Sequence, residues 1–483
     1  MEQKSGAQIS RKAFLQSVLI LLVIMMIAGV LTRVVPPGQF DRQLVDGREL
    51  VQPGSYRVVD RPSYPIWRWF TAPVEVLWGE DSLLVIVISL FILMVGGAFA
   101  VLERAGILRA GLGVIVRRFE ERKYHLLLLV SFFFMVLGAF FGIFEEVVPL
   151  VPIALALSYY LGWDSLVGLG MSILATNLGF TAAVTNPFTI GVAQQLAGLP
   201  LFSGSWFRIP IFIVIYGIFG VFLVRYARRV EKDPQQSQIF EEDQVHRQQH
   251  RQINLDLPSE TSSTLRRAVV WFTGFVLLIV LVLMGAPFIS LIADYALPLV
   301  GILFLFGGLG AGLLSEVDQR SIWAALWEGF IGIAPGIILI LMAVSVKHIV
   351  ISGGIMDTLL HRASSLFTRT SPYLSAVGIL VLALAIEFFI SSGSAKAFLL
   401  MPILLPLADL VGVSRQITVT AYCFGDGFSN MFYPTSPVLL ISLGLTVVSY
   451  PKWLRWTLPL WALVFLAALV FLGIAVAIGY GPF

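Results

Sequence analysis

The sequence predicts an all-α, polytopic membrane protein made of two inverted repeats, each with a re-entrant hairpin and a broken helix. Three observations lead there. Of 483 residues, 58% are hydrophobic and only 13% charged, about half the charged share of a soluble domain. Apolar runs of about 20 residues, long enough to cross a bilayer as helix, recur along the whole chain. The Pro and Gly punctuation of the first half also returns in the second half at an offset of about 250 residues.

The elements follow in order. Lys4, Arg11 and Lys12 precede an apolar run at 14–34. It is long for a signal-peptide core and lacks a small-residue cleavage site, so 1–34 reads as a retained first helix. Residues 35–81 include "VDGRELVQPGSYRVV", where Asp46-Gly47 suits a tight turn, and read as an external β-like loop. Full spans are expected at 82–103, 164–197, 206–228, 268–289, 295–314, 322–350, 414–447 and 457–479. The segments 124–162 and 373–412 are each helix–break–helix. A Gln-rich charged stretch within 230–264 reads as a cytoplasmic linker. His246 and His250 stand at i, i+4 in it, but no apolar face frames them as metal ligands. The N-terminal repeat is then 82–229, the connecting helices 265–314, and the C-terminal repeat 315–483.

Basic residues favour one set of alternate segments, above all "RRFEERK" (117–123) and "RYARR" (225–229). The positive-inside rule puts these segments and the N-terminus in the cytoplasm. "RAGLGVIVRRFEERK" reads as an amphipathic helix on that surface. The net charge of +3 says little about partners, since topology distributes the basic residues. One cysteine, Cys423, excludes a disulfide framework. Nothing points to nucleic acid or an organic cofactor.

In the repeat, Pro152 meets Pro402, Gly162 meets Gly412, and Thr185-Asn186-Pro187 meets Thr435-Ser436-Pro437. An odd number of spans separates the copies, so they lie in opposite orientations. That is a transporter signature, with the substrate site near the midplane at broken helices. The first break of the N-terminal half, "GIFEEVVP", holds Glu145 and Glu146. Its counterpart, "SSGSAK", holds Ser391, Ser392, Gly393, Ser394 and Lys396. Charges at membrane depth are costly and mark function by default; the structural alternative is that they snorkel or pair with one another. The second breaks, "TNPF" and "YPTSPV", contain prolines that free backbone carbonyls inside a span. Thr185, Asn186, Pro187, Thr435, Ser436 and Pro437 are therefore candidate substrate contacts, with simple proline kinks as the alternative.

In "CFGDGFSN", Asp426 and Asn430 lie one helical turn apart. Asp426, Glu387 and Asn177 are candidates for a coupling ion, Na+ or H+, and Asn430 for substrate. A structural hydrogen bond competes with that reading. Asp409 and Arg415 fall at the outer interface and are given no role. Gly138, Gly142 and "GGLGAG" (307–312) suit close helix approach. Trp67, Trp69, Trp453 and Trp456 suit interfacial belts.

The leading function is secondary transport of a small charged solute, an amino acid held between Lys396 and a glutamate. The repeat offset favours Glu146 for that glutamate. A C4-dicarboxylate carrier is the rival. Ser392 and Lys396 at i, i+4 permit a Ser-Lys dyad, but a hairpin tip is a poor place for a rigid one. "FGDGF" resembles the motif of intramembrane aspartyl proteases, with Cys423 in place of its first glycine and no second aspartate motif. The chain is therefore read as no enzyme. A passive channel needs a continuous polar path, whereas the polar groups here cluster at the breaks.

"EEVVPLVPI", "TNPFTIGVA", "SSGSAKAFLLMPILLPLADLVGVSRQ" and "FGDGFSNMFYPTSPVLL" together resemble the C4-dicarboxylate anaerobic carrier family of the ion transporter superfamily. Within it they are most similar to the YfcC-like branch, whose members are designated basic amino-acid antiporters. The resemblance spans nearly the whole chain. It implies a bacterial inner-membrane homodimer whose transport domain moves elevator-fashion against a scaffold. It also implies hairpin tips at Gly142–Pro149 and Ser391–Lys396, and unwound segments at Thr185–Pro187 and Pro434–Pro437. Where the branch often has a serine run before Gly-Lys, this chain reads "SSGSAK".

Overall fold

The computed structural model describes residues 11–45, 48–79, 82–244, 262–285, 289–365 and 371–481. Among them, ten helices are long and apolar enough to cross a membrane, from Phe14–Val34 to Tyr450–Ala477. The chain is therefore a multi-pass membrane protein.

The first helix, Arg11–Val34, leads into a small β layer. Arg42–Val45 pairs antiparallel with Arg48–Val51, with Val45 opposite Arg48, the register a two-residue turn requires. Asp46-Gly47, predicted to make that turn, lies outside the described residues. The layer is fastened to the helix Met356–Ser365. Arg42 pairs with Asp357 at 2.9 Å, and the Tyr56 and His361 rings stack at 4.0 Å.

Ser82–Arg104 packs against Ser290–Leu313 and Gln319–Ser352. The small residues of "GGLGAG" make this closeness possible: a Cβ on Gly308 would sit 2.9 Å from that of Ala98. The contact is sub-van der Waals for anything larger.

The first helix–break–helix segment runs from Lys123 to Tyr160. Its helix ends in a π turn at Leu137–Phe141, and Gly142 takes a left-handed conformation with φ of 69°. A 3-10 turn, Glu145–Leu150, then leads into Val151–Tyr160. Both outer ends of this segment meet the same end of the helix Ser205–Lys232. Lys123 pairs with Glu231 at 2.6 Å, while Tyr226 donates to Asp164 at 2.7 Å, just beyond Tyr160. The second segment, Pro372–Glu387 followed by Gly393–Leu410, has its ends at the other pole. Tyr373 donates to the Leu469 carbonyl and Ser414 to the Tyr480 carbonyl, and Tyr480 reaches Gly204 at 2.7 Å.

The two long interrupted spans recur at the same offset as the punctuation. Asp164 and Ser414 cap their first helices, each accepting a hydrogen bond from the backbone three residues on. Asn186 and Ser436 cap the half-helices that follow the breaks in the same way. The second span, expected at 414–447, divides into Arg415–Ser429 and Pro437–Gly444, neither of which alone crosses a membrane. The helices that lead into the two breaks are packed backbone to backbone. A Cβ on Gly427 would lie 2.2 Å from the Thr181 nitrogen.

Two expectations are corrected. Trp69, Trp453 and Trp456 are buried, only Trp67 being exposed, at 61%. Trp453 instead donates to the Met431 carbonyl beside the second break. An indole seeks one polar partner and an apolar bed, and helix packing supplies both as well as a membrane interface does. The linker is not simply solvated either. Asp243 is buried and accepts hydrogen bonds from Tyr159, from the Ser165 hydroxyl and from the Ser165 amide. Helix ends carry unsatisfied donors, and a polar stretch that answers them has the same composition as one in water. His246 and His250 lie outside the described residues. The predicted surface helix is present as Ile107–Phe119, but several of its side chains also lie outside them.

Candidate functional site

Glu387 closes the helix Pro372–Glu387, and Ser392 caps the helix Gly393–Leu410 across a short break. Lys396 thus falls in the first turn of a helix, where the macrodipole repels a cation. Two carboxylates offset this. Lys396 Nζ is 2.9 Å from Asp426 Oδ1 and pairs directly with Glu387. Lys396 and Asp426 are fully buried, and Glu387 is 2% exposed. Asp426 reaches the lysine because Arg415–Ser429 lies so close to Pro372–Glu387 that a Cβ on Gly425 would be 2.4 Å from the Leu380 carbonyl. Tyr422 donates to the Gly393 carbonyl, tying the tip to the same helix.

The N-terminal half meets this cluster. A Cβ on Gly393 would lie 2.8 Å from Thr189 and 2.9 Å from Asp426, so only glycine fits between them. Glu145 and Glu146 are half-buried in the opposite tip. The Glu146 carboxylate folds back to accept from the Phe144 amide at 3.3 Å. Lys396 is therefore paired within its own half, with Glu387 and Asp426, and not with a glutamate of the opposite break. A repeat offset identifies equivalent positions, but equivalence across a two-fold axis does not imply contact.

The remaining candidates divide by whether their polar groups are already engaged. Thr185 donates to the Phe140 carbonyl at 3.1 Å, and Asn186 donates to the Gly138 carbonyl at 3.2 Å while capping Phe188 and Thr189. These residues lock the first break onto the first tip. Pro187 and Pro437 start the half-helices. Asn430 donates to the Asp426 carbonyl, the structural role weighed against ligation. Ser392 caps its helix and shares a 3.4 Å contact with Ser394, and Ser391 is partly exposed. Asn177 and Thr435, by contrast, have buried side-chain polar atoms with no hydrogen-bond partner. Such groups are costly at membrane depth unless something binds them. Asp409 and Arg415 pair at 2.9 Å, about half exposed.

Arg208 was passed over in the sequence. It is fully buried, and its guanidinium donates to the Val184, Phe202 and Ser203 carbonyls and to Tyr480. Val184 belongs to the first break, so Arg208 answers the carbonyl that the break frees. A lone arginine among the apolar residues of "SWFRIPIF" was the available signal.

Membrane-crossing helices gathered around buried charges and unpartnered polar groups at helix breaks define a class, the multi-pass membrane transporter. The chain belongs to the C4-dicarboxylate anaerobic carrier family, whose model matches residues 14–477. It is 31% identical to the Escherichia coli (strain K12) protein named "Putative basic amino acid antiporter YfcC", over 97% of this chain and 98% of that one. An uncharacterized protein of Haemophilus influenzae is 25% identical over 79% of this chain and 74% of its own length. Among solved structures, the Alcanivorax borkumensis YdaH transporter matches with 18% identity and a TM-score of 0.41, covering 97% of this chain and 99% of that one. Neisseria gonorrhoeae MtrF, described among antimetabolite efflux pumps, matches with 18% identity and a TM-score of 0.42, over 95% and 94%.

Proposed function

We propose that this transporter carries a small solute bearing an ammonium group, a basic amino acid first of all, by exchange or by coupling to Na+ or H+. The observation that carries this reading is the charge balance at the two tips. Lys396 is already paired with Glu387 and Asp426, and Glu145 and Glu146 add two more carboxylates, with no further cation paired to them among the described residues. A site with surplus buried negative charge favours a cation. The name of the Escherichia coli relative agrees with it. Asn177 and Thr435, unpartnered, are the polar groups that a coupling ion or the solute would engage. The family description supports a second reading, a dicarboxylate held by the capped helix N-termini at Ser392 and Ser436.

The same proposal includes two inverted repeats with re-entrant hairpins, in a homodimer that works by elevator movement in the bacterial inner membrane. The inverted repeats rest on the hairpin ends, which meet opposite poles of Ser205–Lys232, and on the caps that recur at one offset; the homodimer and the elevator movement are what the family resemblance implies. The pole bearing Arg225, Arg228 and Arg229 faces the cytoplasm. On a Cys423→Ser background, cysteines replacing Gly162 and Gly412 are expected to react with impermeant reagent from opposite faces. Reaction of both from one face removes the inverted repeat.

Uptake into proteoliposomes tests the substrate. Radiolabelled lysine and ornithine are expected to accumulate and to exchange with each other, while succinate does not. Succinate uptake without amino-acid uptake would move the dicarboxylate reading ahead.

A further inference from the structure

Away from the charged cluster, the helices Ser205–Lys232 and Tyr450–Ala477 leave a groove of about 640 Å³ between them. Its walls are apolar. Phe222 and Tyr226 each lie 5.2 Å, ring to ring, from Trp456, and together they form the back of the groove. Val221 and Leu463 on its rims are about half exposed, as befits side chains that face lipid. One end differs in kind. Arg225 and Arg229 line it, both exposed and one helical turn apart.

Three neighbouring basic residues at this pole are engaged. Lys123 pairs with Glu231, Lys452 pairs with Glu242, and Arg228 stacks over the Tyr124 ring at 4.9 Å. Among the described residues, Arg225 and Arg229 have no carboxylate partner. Ile218, Phe222, Arg225 and Arg229 follow one another at helical spacings of four, three and four, so they form a single stripe. The stripe is apolar toward the bilayer interior and cationic at its end. A phospholipid has that same pattern, an acyl chain below a phosphate.

We propose that this groove is a binding site for an anionic phospholipid, with its chain along Ile218 and Phe222 and its headgroup on Arg225 and Arg229. Two guanidiniums suit a phosphate-linked headgroup of net negative charge and discriminate against a zwitterionic one, whose ammonium they repel. The site also touches the transport machinery. Tyr226, in its wall, donates to Asp164, which caps the helix leading to the first break. An occupant that holds Tyr226 in place therefore stiffens the end of that helix.

Native mass spectrometry of delipidated protein tests this, using phosphatidylglycerol and phosphatidylcholine with identical chains, and inorganic phosphate. Phosphatidylglycerol is expected to bind more tightly than phosphatidylcholine, and phosphate not to bind. Arg225→Gln and Arg229→Gln should each weaken phosphatidylglycerol about five-fold, the loss expected for one arginine at an anionic lipid surface. Arg320→Gln, the same charge change on another helix, should leave it unchanged, and Ile218→Trp should block the groove to the chain. Equal binding of the two lipids, or no effect of the two arginine variants, overturns the proposal. So does binding of phosphate alone, and so does a dimer that Ile218→Trp dissociates, since a second copy would then occupy the groove.

Discussion

Replacing Lys396 by alanine is expected to abolish transport and to destabilise the protein together. The ammonium is fully buried between Glu387 and Asp426. Removing it strands two buried carboxylates, and breaking such a pair typically costs about 3–5 kcal/mol. The sequence by itself makes Lys396 a candidate solute contact at a break. Its burial gives it a structural share as well. The two roles separate in the triple variant Glu387→Gln/Lys396→Met/Asp426→Asn, which removes every charge while keeping similar volumes. Thermal unfolding in detergent should return toward the wild type, because replacing a whole buried ionic cluster by neutral groups is often nearly neutral. Transport should stay absent. If the triple variant transports at the wild-type rate, the charges serve folding alone.

The second large effect separates two adjacent glutamates. Glu145→Gln is expected to weaken binding of a cationic amino acid by about 2–5 kcal/mol, roughly 30-fold or more. The Phe144 amide is taken by Glu146, which leaves the Glu145 carboxylate the freer of the two to meet a solute. Glu146→Gln should be mild, because the Glu146 side chain accepts from the Phe144 amide, a contact a glutamine oxygen also makes. Calorimetry on the purified variants measures both. If both bind an amino acid normally and lose only proton dependence of transport, the glutamates couple protons and the dicarboxylate reading gains.

Much of the architecture was legible because bilayer physics leaves few choices. A run such as 14–34 or 457–479 has to be a helix, since no other structure satisfies its backbone inside lipid. The breaks were legible for a related reason. Proline at 187 and 437, and left-handed glycine at 162 and 412, are local demands that a short stretch of sequence states outright. The caps at Asp164, Asn186, Ser414 and Ser436 are local in the same sense.

What was illegible required distance across the fold. Arg208 lies 24 residues from Val184 in sequence, and nothing near either residue announces that one answers the other's carbonyl. The buried face of Trp453 and the docking of Asp243 onto Tyr159 and Ser165 depend equally on which helix ends up beside which. The sequence alone determined that this chain is a multi-pass membrane protein with charges set at paired helix breaks, because hydrophobic length and backbone hydrogen bonding act locally. Only the tertiary structure decided that Lys396 faces Glu387 and Asp426 rather than the glutamates at its symmetric position. Electrostatic energy depends on separation in space, and packing at Gly393 and Gly425 sets that separation.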